Sequence, residues 1–217
     1  MLKSSIGRKI IMSLSGVFLI IFLTQHLIIN LTSLIPDGGK VFNMISHFMG
    51  NNPIIQFILQ PVLILGVVVH FSMGIYLEIQ NQRSRQISYV KYSGKNSGSS
   101  WASRNMIISG LVVLAFLIMH FYDFWVPEMV YKYVEFNPLD QDRYYLELQH
   151  KFQGELVRVV IYCCSFILLG LHLAHGFASS LQSMGITKGP IKLLTRAFSL
   201  IVPSGFIFIA LFHFIFH

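Results

Sequence analysis

His26, His70, His120 and His172 each lie inside a different long apolar stretch of the 217-residue chain. A neutral imidazole offers one nitrogen lone pair, and histidine is the commonest protein ligand of metals. Two imidazoles facing each other can hold one iron from opposite sides, an arrangement that haem iron accepts. A single intramembrane histidine is explained equally well by a hydrogen bond to a neighbouring helix. What counts is therefore whether the four fall into pairs, and that depends on the elements that carry them.

The chain is 54% hydrophobic and 12% charged, with a mean hydropathy of +0.63, which leaves too little polar surface for a soluble domain. A spanning helix needs about 20 apolar residues. Five runs meet this, at 10–30, 54–79, 106–126, 156–181 and 193–216. The expected architecture is an all-α membrane protein, one integral membrane domain over 1–217 built as a five-helix bundle. The first run reads as retained rather than cleaved: it is too long for a signal-peptide core, lacks a small-residue cleavage site and carries Gln25 and His26.

Basic residues orient the bundle. Eleven flank one side (Lys3, Arg8, Lys9, Arg83, Arg85, Lys91, Lys95, Arg104, Lys188, Lys192 and Arg196) against five on the other (Lys40, Lys132, Arg143, Lys151 and Arg158). The positive-inside rule places the N-terminus in the cytoplasm. Of the nine acidic residues, all but Glu78 lie on or near the opposite side, so the +7 charge is a cytoplasmic-face feature that needs no nucleic-acid partner. Tyr122, Trp125 and Tyr131 at one boundary and Tyr89, Tyr92 and Trp101 at the other read as aromatic belts. The 81–103 connection is polar and serine- and glycine-rich; 32–53 has a turn at Pro36-Asp37-Gly38-Gly39, and the length of 127–154 suggests short interfacial helices outside. Cys163 and Cys164 are adjacent within the fourth run and read as packing residues.

Depth sorts the histidines. His26 lies 17 residues beyond Lys9 and His120 lies 16 beyond Arg104, so at the helical rise both sit roughly 25 Å from the cytoplasmic flank. His70 and His172 each precede a glutamine (Gln80 and Gln182) by 10 residues, placing them about 15 Å from that flank. Two bis-histidine sites stacked along the bundle follow, His70 with His172 in the inner half and His26 with His120 in the outer. Two b haems held between the first four helices are the natural occupants. Gly74 and Gly176 follow the inner histidines by four, and Gly16 and Gly110 precede the outer ones by ten. Gly16 and Gly110 thus reach the inner level, where they either make room for a haem or promote helix packing.

The run Lys9-Ile-Ile-Met-Ser-Leu-Ser-Gly16-Val-Phe-Leu, continuing through Phe22-Leu-Thr-Gln-His26-Leu-Ile-Ile-Asn30, resembles the first helix of the dihaem cytochrome b subunit of bacterial succinate dehydrogenase and fumarate reductase complexes. His172-Leu-Ala-His-Gly176 is similar to that family's ligand histidine followed by glycine four positions on. The resemblance extends over the whole chain. It implies an anchor in the bacterial cytoplasmic membrane beneath an iron-sulfur subunit and a flavoprotein subunit carrying covalent FAD, with no dicarboxylate chemistry of its own. Electrons from succinate then pass to the inner haem, to the outer haem and to menaquinone, or run backwards in a fumarate reductase. The basic cytoplasmic flank and the 81–103 connection form the implied docking surface for the iron-sulfur subunit.

His175 remains an alternative to His172, three residues apart on one helix; the family's glycine spacing favours His172. The acidic quinone-site residue of related proteins has no clear counterpart, leaving His47, Asp37 and Gln56 as polar candidates near the outer mouth. A carboxylate that dihaem relatives carry two positions before the fourth ligand is here Gly170. Cytochrome b anchors of hydrogenases or formate dehydrogenases distribute their ligands over fewer helices. A proton or metal transporter is disfavoured because Asp123 and Glu155 read as lying near segment ends. A haem-free anchor requires four structural histidines.

Overall fold

Backbone groups in hydrocarbon have no water to bond, so an apolar chain satisfies them within helices. The computed structural model describes residues 4–84, 106–187 and 189–216. Among them are eight α-helices and no strand: α1 (Ser5–Leu31), α2 (Lys40–Asn51), α3 (Gln60–Ser84), α4 (Met106–His120), α5 (Val126–Tyr133), α6 (Arg143–Phe152), α7 (Leu156–Ser183) and α8 (Ile191–Ile215). Five stretches are long and apolar enough to cross a membrane: Ser5–Leu34, Ile55–Arg83, Met106–Tyr133, Leu156–Ser183 and Ile191–Ile215. These are the five runs expected from composition. Tyr89, Tyr92, Trp101, the depth marker Arg104 and most of the 81–103 connection lie outside the described residues.

The third span corrects the expected boundary at 126. Pro127 lacks an N–H, and a proline inside a regular helix costs a hydrogen bond. Here the π-helical turn Phe121–Trp125 precedes it and Pro127 falls in the first turn of α5, where no intrahelical donor is required. The helix therefore continues to Tyr133. The short helix expected in 127–154 is α6, and the 32–53 connection, read only as a turn, contains α2 as well. The Asp37 carboxylate accepts from the amides of Gly39 (2.9 Å), Lys40 (3.1 Å) and Val41 (3.0 Å), and so starts α2. Gly39 adopts a left-handed φ of 81° and lies so close to the Tyr145 ring that a side chain there has no space.

Helices α1, α3, α4 and α7 form a ring in which each packs on the next and α7 returns to α1. Outside it, α8 leans on α7 and α1, and its contact with α7 is the most extensive in the bundle. Helices α2 and α6 pack together over one end, here the apical end; the start of α1 marks the basal end. The apolar core includes Leu27, Phe42, Phe152, Tyr162, Phe166 and Phe206, from α1, α2, α6, α7 and α8. Helix α3 contributes nothing to it, and the most apolar window of its span has no buried residue.

The tight α7–α8 contact has a local cause. Pro203 has no N–H to bond the Ser199 carbonyl one turn earlier. Gly170 of α7 faces that carbonyl, and a Cβ there lies 3.1 Å from the Ser199 oxygen and 3.3 Å from Pro203 Cγ. A carboxylate at position 170 does not fit this contact. Gly170→Leu is expected to cost about 1–3 kcal/mol by overpacking, with Gly170→Ala well below it, as read by thermal unfolding in detergent.

Candidate functional site

At the apical level α1 and α4 present His26 and His120, with ring centres 5.8 Å apart. Each imidazole is stacked on the phenylalanine one turn before it, His26 on Phe22 at 5.5 Å and His120 on Phe116 at 5.8 Å. Phe206 of α8 and Phe124 complete an aromatic surround. His120 Nδ1 is buried without a hydrogen-bond partner.

At the basal level α3 and α7 present His70 and His172, 6.4 Å apart. Ser15 Oγ lies 3.1 Å from His70 Nδ1, and Ser109 Oγ lies 3.2 Å from His172 Nδ1. Gly16 and Gly110 stand at this level, and what they clear is now visible. A Cβ at Gly16 meets His70 Cε1 at 3.3 Å, and one at Gly110 meets His172 Cε1 at 3.5 Å. Each glycine admits a histidine ring from the next helix. His172, not His175, carries the ring contact to His70 and the serine contact.

The two halves of the ring repeat each other. Met12, Ser15, Gly16, Phe22 and His26 of α1 have counterparts 94 positions on in Met106, Ser109, Gly110, Phe116 and His120. His70 and Gly74 of α3 have theirs 102 positions on in His172 and Gly176. Met12 and Met106 each direct a methyl group toward the glycine of the facing helix, Gly74 and Gly176 respectively. Each histidine pair therefore joins equivalent residues of two similar helical hairpins.

With a metal–nitrogen bond of about 2 Å and a ring centre about 1 Å behind its nitrogen, two imidazoles across one ion stand roughly 6 Å apart. The separations of 5.8 and 6.4 Å fit that span. No group of three or more His, Cys, Asp or Glu side chains is placed to hold a metal among the described residues.

Asp37 and His47 make structural contacts. Asp37 caps α2. His47 packs on Tyr144 with ring centres 4.8 Å apart, and its Nε2 lies 3.1 Å from the Gln141 carbonyl. Gln56 Nε2 is buried without a hydrogen-bond partner. Cys163 and Cys164 are free thiols, the second exposed on α7.

Several residues gained importance only in three dimensions. Asp123, one turn beyond His120, is 3% exposed rather than merely near an end. It accepts from Tyr162 Oη at 2.8 Å, with Lys151 Nζ at 3.9 Å and Arg158 at 3.8 Å. Glu128 binds Lys132, Arg143 and Tyr144, and Lys132 also donates to the Gly50 carbonyl at 2.6 Å. Tyr131, expected in an aromatic belt, lies beneath the Arg143 guanidinium at 4.0 Å. Burial works against the Arg143 charge, but the hydrogen bond and charge of Glu128 outweigh it and raise the guanidinium's pKa. Burial, then the hydrogen bond to Glu128, pushes the Tyr144 phenol up. His213, fully buried in α8, sits with Nε2 3.0 Å from Ser33 Oγ and joins α8 to the end of α1.

Comparison with protein-family models, curated proteins and solved structures finds no match.

Arg143→Ala leaves Glu128 among fewer donors and is expected to destabilise the apical cap by about 3 kcal/mol, measured as a lower unfolding midpoint in detergent. Tyr162→Phe removes the donor to a buried carboxylate and should cost about 1–3 kcal/mol in the same assay.

Proposed function

We propose that this chain is the dihaem cytochrome b anchor subunit of a bacterial succinate:quinone oxidoreductase, linking an iron-sulfur subunit to menaquinone. The observation that carries the reading is the pair of symmetric bis-histidine arrangements at the separation of two imidazoles across one iron. A protein site for a bare zinc ion uses three or four side-chain ligands. A haem brings four equatorial nitrogens and needs only two imidazoles to complete its iron. Two donors per level, without a third beside them among the described residues, therefore favour haem over a free ion.

When bound, haem b supplies reversible one-electron storage. The protein's part is ligation, orientation and exclusion of water. His70 and His172 are the ligands at the basal level, His26 and His120 those at the apical level. Phe22, Phe116, Phe124 and Phe206 keep the apical imidazoles in apolar surroundings, a lever on redox potential. The basic flank assigns the basal end to the cytoplasm, where the iron-sulfur subunit and its FAD-bearing flavoprotein partner dock. On this reading the apical pair lies nearer the opposite face, where menaquinone would react. The same ligand arrangement serves the fumarate-reducing direction.

A pyridine haemochrome spectrum of the purified complex is expected to give two b-type haems per copy of this chain. His70→Ala or His172→Ala should remove one haem, and His26→Ala or His120→Ala the other. A complex containing this chain without haem overturns the reading, and one in which His175→Ala loses a haem that His172→Ala retains overturns the ligand assignment.

A further inference from the structure

The two histidine levels are built from the same ligand type but held differently. A serine hydroxyl has one proton to donate. Ser15 directs its hydroxyl to the Met12 carbonyl at 3.0 Å, and Ser109 directs its own to the Met106 carbonyl at 2.9 Å. With those protons directed to the carbonyls, each oxygen is left to accept, an arrangement that favours the hydrogen on Nδ1 of His70 and of His172. Nε2 then keeps its lone pair in both rings. The apical level lacks this device at His120, whose Nδ1 is buried without a partner.

We infer that Ser15 and Ser109 are positioning residues: they fix the Nδ1–H tautomer of His70 and His172, leave Nε2 for iron, and make each of these imidazoles a more basic ligand. The inference rests on the haem reading above and deepens it. A hydrogen bond donated from the far ring nitrogen makes a ligating imidazole more basic. A more basic ligand stabilises the more positive, oxidised iron and lowers its midpoint potential. The geometry needs the neighbouring glycines, because Gly16 and Gly110 let each ring approach the helix that carries its serine. The repeat makes the two serines equivalent, so each acts on one axial ligand of the same basal haem.

The test is a redox titration of the haem absorbance of the full purified complex, with His70→Ala identifying the basal step as the one that disappears. Ser15→Ala is expected to raise the midpoint of the basal step, leave the apical step in place, and weaken basal haem retention by about 10- to 100-fold. Ser109→Ala should do the same. Ser15→Thr, which keeps a hydroxyl, should stay near the unaltered protein and separates loss of the hydrogen bond from disturbed packing. If Ser15→Ala does not assemble, Ser109→Ala and Ser15→Thr carry the test. A basal step unmoved in the alanine variants, an equal shift of both steps, or a threonine variant displaced as far as alanine overturns the inference while the two-haem reading stands. Absence of haem from the unaltered complex overturns that reading, and the inference with it.

Discussion

A polar side chain inside hydrocarbon has no water to turn to, so each one constrains which helices face each other. Ser15, Ser33 and Ser109 satisfy their hydroxyl protons on carbonyls three residues back, at 3.0, 2.7 and 2.9 Å. Each is left with an oxygen facing a histidine of another helix: His70 on α3, His213 on α8 and His172 on α7. These three contacts tie α1 to α3, the end of α1 to α8, and α4 to α7. Tyr162 and Asp123 add a fourth polar link, between α7 and the third span. The order of helices around the ring follows from such bonds as much as from apolar packing, because lipid is as apolar as the side chains it competes with.

Packing is distributed unevenly, and the unevenness bears on the site. Gly170 and Pro203 bring α7 and α8 together, and the aromatic core extends from that seam toward α2 and α6. Helix α3 takes no part in this core and meets the rest chiefly through α1, with His70 seated beside Gly16 and Ser15. The apical end is clamped by the Glu128–Arg143–Lys132 network. Packing thus backs His120 and His172 through the α7–α8 seam, whereas His70 is held mainly by its own contacts with Ser15 and Gly16.

The pairing of histidines was legible because the helical rise is nearly constant: counting from basic flanks for one pair and from Gln80 and Gln182 for the other placed His26 with His120 and His70 with His172, and the ring contacts join the same residues. The glycine level was legible for the same reason. What the glycines admit was not, since spacing along a helix says nothing of which neighbouring ring turns toward it. Ser15 and Ser109 escaped notice because serine is common in membrane helices; the shared offset of 94 positions with Met12 and Phe22 was the available signal. Asp123 read as a boundary residue because the apolar run ends at 126 in the sequence, whereas a π-helical turn carries the helix onward. Tyr131 read as a belt residue for the same reason.

Hydropathy and length determined by themselves that the chain forms five long apolar helices, because a backbone in hydrocarbon must bond within its own segment. Residue type and spacing determined which histidines share a level, because both follow from a fixed rise per residue. Only the tertiary structure decided how each histidine is held: serine against imidazole at the basal level, aromatic stacking at the apical level, and Asp123 drawn inward beneath Tyr162. Those outcomes depend on helix rotation and neighbour choice, which are set by close approach at glycines and by the cost of leaving buried polar atoms without partners.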